Sequence, residues 1–242
     1  MKQRLDRAIV ERGLVASREK AQALIMAGEV LVDGQKAAKA GYLVSGDATI
    51  ELTSKLRYAG RGGLKLEGAL QYFNIDVRGV TAADFGSSTG GFTDCLLQAG
   101  AARVHSIDVG TGQLDWTLRN DARVIVHEGV NARYIELTDL GEPVDFAVCD
   151  VSFISATLIL PAMARVLKPE PGRSVVVLVK PQFEVGKGQV GKGGIVRDPE
   201  QHAAACLKVE ACARELGFET QIMESPITGA EGNKEFLLYG RL

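Results

Sequence analysis

Residues 80–97 read VTAADFGSSTGGFTDCLL, and this stretch narrows the possible folds more than any other. A strand-like apolar run closes at Asp84-Phe85. A turn of Gly86, Ser87, Ser88, Thr89, Gly90 and Gly91 follows, and Phe92, Cys95, Leu96 and Leu97 then open an amphipathic helix. Strand, glycine turn and helix form the geometry that lets a backbone approach a nucleotide-like ligand closely. Glycines remove side chains that would block the ligand, and the helix start offers free N–H groups. The next strand-like run, Val104 to Ile107, ends in Asp108, where a ribose-binding carboxylate is expected. The glycine spacing departs from G-x-G-x-x-G, and no phosphate-selecting group stands nearby. The turn therefore favours a neutral or cationic adenosine ligand over a dinucleotide.

From Gly63 onward, helical and strand-like runs alternate. The pattern predicts strands at 79–84, 102–107, 123–127, 144–149, 174–180, 218–224 and 234–241, and helices at 63–73, 91–98, 111–119, 155–166 and 199–216. Such alternation builds an α/β fold, a mostly parallel sheet covered by helices. The last two strands lie close in sequence and are expected to pair antiparallel. Residues 1–52 read differently. Leu5, Ile9 and Val10 share one helical face, and Ala21, Leu24 and Ile25 share another, with Ser17 as N-cap. Glu29 to Lys36 form a strand, an Asp-Gly turn and a strand start, and Asp47 to Leu52 form a further strand. Residues 53–63, glycine-rich and basic, read as the linker.

The net charge of −2 is unevenly spread. Residues 1–60 carry ten Lys and Arg against seven Asp and Glu, and the remainder is acidic. A basic small module on an acidic body suits a polyanion partner. No apolar run is long enough to span a bilayer, and the charged N-terminus does not resemble a signal peptide. A cytoplasmic protein with reduced thiols at Cys95, Cys149, Cys206 and Cys212 is expected. His105, His127 and His202 lack ligand spacing, so no metal site is expected.

In open parallel sheets the chemistry sits at the carboxyl ends of strands. Asp84, Asp108, Glu128, Asn131, Asp150 and Lys180 fall there. A lysine ending a buried strand needs a partner, and Asp150 on a neighbouring strand is the candidate. The alternative is a purely structural ion pair. The loop 181–197, PQFEVGKGQVGKGGIVR, contains G-x-x-x-x-G-K from Gly186 to Lys192, but Gly193 supplies no hydroxyl and no apolar helix follows. It reads better as a substrate-covering loop.

Taken together, DFGSSTGGFTDCLL, DVGTGQLDW, CDVSFIS and VKPQFEVGKGQVG resemble the TlyA-type rRNA 2′-O-methyltransferases, also called hemolysin A-like proteins. The resemblance covers nearly the whole chain. It implies a small α+β RNA-binding domain of ribosomal-protein type over residues 1–60, carried by RLD, GLVASREKAQALI and GEVLVDGQ. It also implies an FtsJ-type, Rossmann-like class I methyltransferase domain with a seven-stranded sheet over 61–242. The family's Lys-Asp-Lys-Glu tetrad falls on Lys65, Asp150, Lys180 and Glu235. S-adenosylmethionine is the implied cofactor. Its implied contacts are Asp84, Gly86, Ser88, Thr89, Gly90, Gly91, Phe92, Asp108, Gly129, Val130, Asn131 and Asp150. The implied partners are rRNA and ribosomal subunits, with large-subunit cytidine ribose favoured over small-subunit. Arg4, Arg7, Arg18, Lys20 and Lys36 are candidates for phosphate contacts. Lys180 would either accept the hydroxyl proton or stabilise the developing alkoxide. A free lysine with pKa near 10.4 needs strong perturbation for the first role. Three other readings compete: an inactive RNA-binding assembly factor, a membrane-active hemolysin, and a methyltransferase for protein or small molecules.

Overall fold

The computed structural model describes residues 2–15, 17–37, 39–52, 57–229 and 232–242. The chain divides into two compact units, residues 1–61 and 62–242. Residues 53–56 of the expected linker lie outside the described residues, and Gly62 and Gly63 already belong to a helix rather than to a linker.

In the first unit, strand β1 (Lys2–Arg4) leads into helix α1 (Leu5–Glu11). Helix α2 (Arg18–Met26) starts at Ser17, whose hydroxyl accepts the Lys20 N–H at 3.2 Å. Strands β2 (Val30–Val32) and β3 (Gln35–Lys36) form the expected hairpin. Asp33 and Gly34 both hold the positive φ that this turn demands. Strand β4 (Leu43–Ser45) pairs antiparallel with β1, and β5 (Ile50–Leu52) pairs antiparallel with β2. Leu5, Ile9, Leu24, Ile25, Val30 and Val44 are buried together as a small core. The two helical faces read from the sequence meet in it.

The second unit runs α3 (Gly62–Tyr72), β6 (Thr81–Phe85), α4 (Gly91–Gln98), β7 (Arg103–Asp108), α5 (Trp116–Arg119), β8 (Val124–Glu128), α6 (Leu137–Leu140), β9 (Phe146–Cys149), α7 (Leu160–Val166), β10 (Ser174–Val179), α8 (Pro181–Glu184), α9 (Pro199–Glu215), β11 (Glu219–Glu224) and β12 (Phe236–Arg241). Seven strands form one sheet in the order β11-β12-β10-β9-β6-β7-β8. Strands β6 to β10 pair in parallel. Strand β12 is antiparallel to both β10 and β11, as the short separation of the last two strands anticipates. All six residues of β10, SVVVLV, are buried, because helices cover both faces of the sheet.

Two helices differ from expectation. The predicted helix 111–119 is confined to Trp116–Arg119. Gly112 sits at φ +70°, which ends any earlier helical run, and Asp115 caps the new start by accepting the Thr117 N–H at 2.9 Å. The predicted helix 155–166 splits into a 3₁₀ turn at Ala156–Leu158 and α7, with Pro161 in the first turn of the latter. The chain order reverses about β6, which has β7 on one side and β9 on the other. A crevice at the carboxyl ends of these strands follows from that reversal.

Candidate active site

The crevice is a cleft of about 440 Å³. Its lining includes Gly86, Ser88, Asp108, Asn131 and Asp150 from the expected set. Gly86 has φ +85°, and a Cβ there would lie 2.8 Å from the Asp150 carbonyl oxygen. Only glycine lets β6 turn this close to the loop after β9. Asp108 braces the turn: its Oδ2 accepts the Ser88 N–H at 2.8 Å and its Oδ1 accepts the Gly110 N–H at 2.7 Å. Asn131 Oδ1 accepts the Arg133 N–H at 3.2 Å.

Thr89, Gly90, Gly91, Phe92, Gly129 and Val130 are not on the cleft wall. Gly90, Gly91 and Phe92 are buried at the start of α4. A Cβ on Gly90 would lie 2.3 Å from Leu118 Cδ1, so this glycine lets the turn settle onto α5. The Val130 N–H donates to the Asp108 carbonyl at 3.1 Å, and the Gly129 N–H donates to that of Gly110 at 3.3 Å. Those two bonds tie the ends of β7 and β8 together.

Asp84 lies beneath the turn with no exposure. The Thr93 hydroxyl donates to its Oδ2 at 2.7 Å, while Oδ1 is buried with no hydrogen-bond partner. Burial pushes this carboxyl up to about 7, the Thr93 hydrogen bond opposes the shift, and the charges of Asp150 and Asp108 add to it. The neighbouring Cys149 thiol, also buried, is pushed up to about 12 and offers no nucleophile.

The tetrad candidates meet as two ion pairs. Asp150 follows β9, and Lys180 follows β10 on the adjacent strand. Lys180 Nζ stands 2.6 Å from Asp150 Oδ1, and donates its directed hydrogen bond to Ser152 Oγ at 2.8 Å. Val179 faces Phe236 across the antiparallel β10–β12 pair, so Lys180 and Glu235 are next in register. Lys65, on α3, donates to Glu235 Oε2 at 2.5 Å. Lys65, Lys180 and Glu235 are all buried, whereas Asp150 is partly open to the cleft. Buried charges of this kind persist only when paired.

Sequence reasoning missed part of the lining. Val109, Gln113, Ala132, Ser152, Phe153 and Ile154 also face the cleft. Phe153 is 92% exposed and sits at φ +67°, a rare conformation for a bulky residue. Its ring lies 5.4 Å from that of Phe183. The signal was present in CDVSF, where an aromatic follows the strand-end aspartate in a segment with no apolar period.

In the first unit, Arg4 and Arg18 are drawn together on Asp6, while Arg7 and Lys36 are exposed and Lys20 is half-buried. Among the described residues no cluster of His, Cys, Asp and Glu could hold a metal ion, and no helix is long and apolar enough to cross a membrane.

Residues 58–242 match the family described as FtsJ-like methyltransferase, and residues 3–50 match the S4 domain. The chain is 46% identical over 241 residues to the 16S/23S rRNA (cytidine-2′-O)-methyltransferase TlyA of Mycobacterium tuberculosis, covering 98% of this chain and 89% of that one. It is 32% identical over 252 residues to the 23S rRNA (cytidine-2′-O)-methyltransferase TlyA of Campylobacter jejuni, covering 95% and 96%. A solved structure from Streptococcus thermophilus, named as a hemolysin, is 45% identical with a TM-score of 0.78, covering 99% of this chain and 88% of that one.

Proposed function

Because the chain belongs to the TlyA family of FtsJ-like methyltransferases, we propose that it methylates the ribose 2′-hydroxyl of a cytidine in cytoplasmic ribosomal RNA. The observation that carries this reading is the row Asp150, Lys180, Glu235 and Lys65 at one sheet edge, beside the glycine turn. The cofactor is S-adenosylmethionine, and the residues present fit it. The orphaned Oδ1 of Asp84 and the carboxylates of Asp108 and Asp150 suit a cationic adenosine ligand. The close approach at Gly86 leaves backbone free to meet it. Asp108 would take the ribose hydroxyls, Asn131 the adenine side, and Asp84 and Asp150 the methionine end. When bound, S-adenosylmethionine supplies a methyl group on an electrophilic sulfonium.

A ribose hydroxyl is a poor nucleophile and must lose its proton to solvent as the new C–O bond forms and the S–C bond breaks. Lys180, paired with Asp150 and braced by Ser152, would direct N–H donors at that oxygen and stabilise its developing negative charge. Glu235 and Lys65 would complete the charge balance around it. Alignment of oxygen, methyl and sulfur contributes a large further share. Phe153, strained and exposed beside Phe183, would offer a stacking face to the target base. Arg4, Arg7, Arg18, Lys20 and Lys36 would contact RNA phosphates.

The chain covers 96% of the relative named for 23S rRNA and 89% of the relative named for both subunits. Large-subunit rRNA is the acceptor common to both names, and it is the preferred acceptor in this reading. The test is methyl transfer from labelled S-adenosylmethionine to purified large and small ribosomal subunits. Lys180→Ala should lower turnover about 10²–10³-fold, the scale of losing one donor to a developing oxyanion, with cofactor affinity retained. Label on both subunits would overturn the large-subunit preference. Cofactor binding without label on either would favour an inactive RNA-binding assembly factor. Liposome leakage by the pure protein would revive the hemolysin reading.

A further inference from the structure

The N-terminal unit has a second cleft, about 560 Å³, remote in sequence from the glycine turn. It is lined by Val32, Gln35, Lys36, Ala37, Lys39 and Tyr42 beside Gly41. Val32 and Ala37 are buried and form an apolar floor. Tyr42 is 55% exposed, and its ring meets no other ring among the described residues. Lys36 and Lys39 are exposed, and neither makes an ion pair among the described residues. No carboxylate lines the cleft.

The walls are built rather than loose. The Leu5 N–H donates to the Tyr42 carbonyl at 2.8 Å, and the Asp6 N–H donates to that of Ala40 at 3.2 Å. The Tyr42 N–H donates to the Lys39 carbonyl at 3.0 Å, and the Ala37 N–H to that of Val30 at 2.9 Å. A Cβ on Gly41 would lie 3.4 Å from Arg4 Nη1, so a third cation rests against the same loop. Arg4 is itself held by Asp6 at 3.0 Å.

We propose that this cleft is a pocket for one unpaired RNA nucleotide, with the base against Tyr42 and its phosphate at Lys36 and Lys39. The inference rests on the RNA-binding reading of the first unit and goes beyond phosphate contact. An apolar floor with an aromatic wall suits a base, two lysines without a carboxylate in the lining suit its phosphate, and Gln35 can hydrogen-bond a base edge. The volume lies within the range of pockets that enclose small ligands. Duplex RNA buries its bases in the stack and could use only the lysines.

The experiment measures binding of the full-length protein to a labelled single-stranded RNA oligonucleotide, and to the same strand annealed to its complement, across a salt series. Tyr42→Ala should weaken single-strand binding about 5- to 150-fold, the range for loss of one stacked base, and leave the salt slope unchanged. Tyr42→Phe should bind like wild type. Lys36→Ala and Lys39→Ala should each make the slope shallower by about 0.7. Duplex binding should respond to the lysines and not to Tyr42. An effect of Tyr42→Ala below twofold, or an equal loss on duplex, would overturn the pocket alone. Failure of wild type to bind either RNA would overturn the RNA-binding reading beneath it. Because Tyr42 is half exposed, the substitution should leave thermal unfolding unchanged.

Discussion

Asp6 in the N-terminal unit and Asp84 in the C-terminal unit are equally buried, each with 0% exposure, and they are furnished in opposite ways. Asp6 is saturated. Its oxygens accept from Arg4 Nε and Nη2 at 3.0 Å each, Arg18 Nε at 2.8 Å, Gln22 Nε2 at 2.9 Å and the Arg7 N–H at 3.0 Å. The Arg4 hydrogen bonds hold its carboxyl well below the usual range against the opposing effect of burial, and Gln22 and Arg18 add to them. Asp84 has one side-chain donor and one empty oxygen, and burial wins. Two identical residues, both closed to solvent, thus differ in how their charge is met. Asp6 is a fastener whose charge is spent inside the unit. Asp84 leaves one buried oxygen without a donor, at a cost in stability that, on the proposed function, the cationic cofactor would offset.

The largest expected effect on this comparison comes from Asp6→Ala. Breaking a fully buried ion pair costs about 3–5 kcal/mol, and the 44% exposure of the Arg4 and Arg18 side chains lowers that, so about 2–3 kcal/mol is expected. Denaturant unfolding followed in the N-terminal unit would measure it. The stabilisation from Asp6 exists above the unfolded carboxyl pKa and is lost as pH falls through the lower folded value. The mutant should therefore lack the wild type's steepest acid loss, below about pH 4. Equal acid sensitivity in both would show that Asp6 is not the fastener.

Asp84 carries the opposite sign. Its raised value means that folding is favoured below the unfolded pKa, and that this advantage disappears as pH rises through about 7. A cationic cofactor prefers the ionised carboxylate, so its binding should expel a proton. Affinity for S-adenosylmethionine should then rise about tenfold between pH 6 and pH 8, roughly one pKa unit of linkage or about 1.4 kcal/mol. Asp84→Asn should flatten that profile and remove the loss of stability that accumulates between about pH 4 and pH 7. Calorimetry in buffers of different ionisation enthalpy would count the proton directly. A flat wild-type profile would place Asp84 outside the cofactor's reach.

These two aspartates also mark how far the sequence could be read. Strands β9 and β10 were legible because residues buried on both faces make continuous apolar runs, FAVC and SVVVLV. Lys180 with Asp150 was legible because a strand-end lysine needs a partner. Helix 111–119 was overextended because periodicity does not register the positive φ of Gly112. Arg4 and Arg18 read as free cations, since nothing in RLD reveals that its aspartate is buried. Phe153, Ser152 and Gln113 converge on the cleft from different loops, and loop convergence has no periodic trace. The glycines of the turn were read as one ligand cradle, whereas the structure divides them. Gly86 approaches the cleft and Gly90 packs on α5.

A third carboxylate, Asp150, stands between the two extremes: it is half-buried and ion-paired, and its Oδ1 lacks a well-directed hydrogen bond. Ser152 makes the difference there, accepting the Lys180 hydrogen bond at 2.8 Å. Ser152→Ala removes that acceptor and leaves the ion pair. Lys180 then has Asp150 alone to fix its direction, and one hydrogen bond nets about 0.5–1.5 kcal/mol. Turnover should fall about 2- to 10-fold while KM for the cofactor stays constant, because the loss concerns where Lys180 aims rather than whether the cleft fills. Ser152→Thr keeps a hydroxyl and should recover most of the rate. A fall of the same size in cofactor affinity would instead make Ser152 a direct cofactor contact, and Asp150 would then resemble Asp84 more than Asp6.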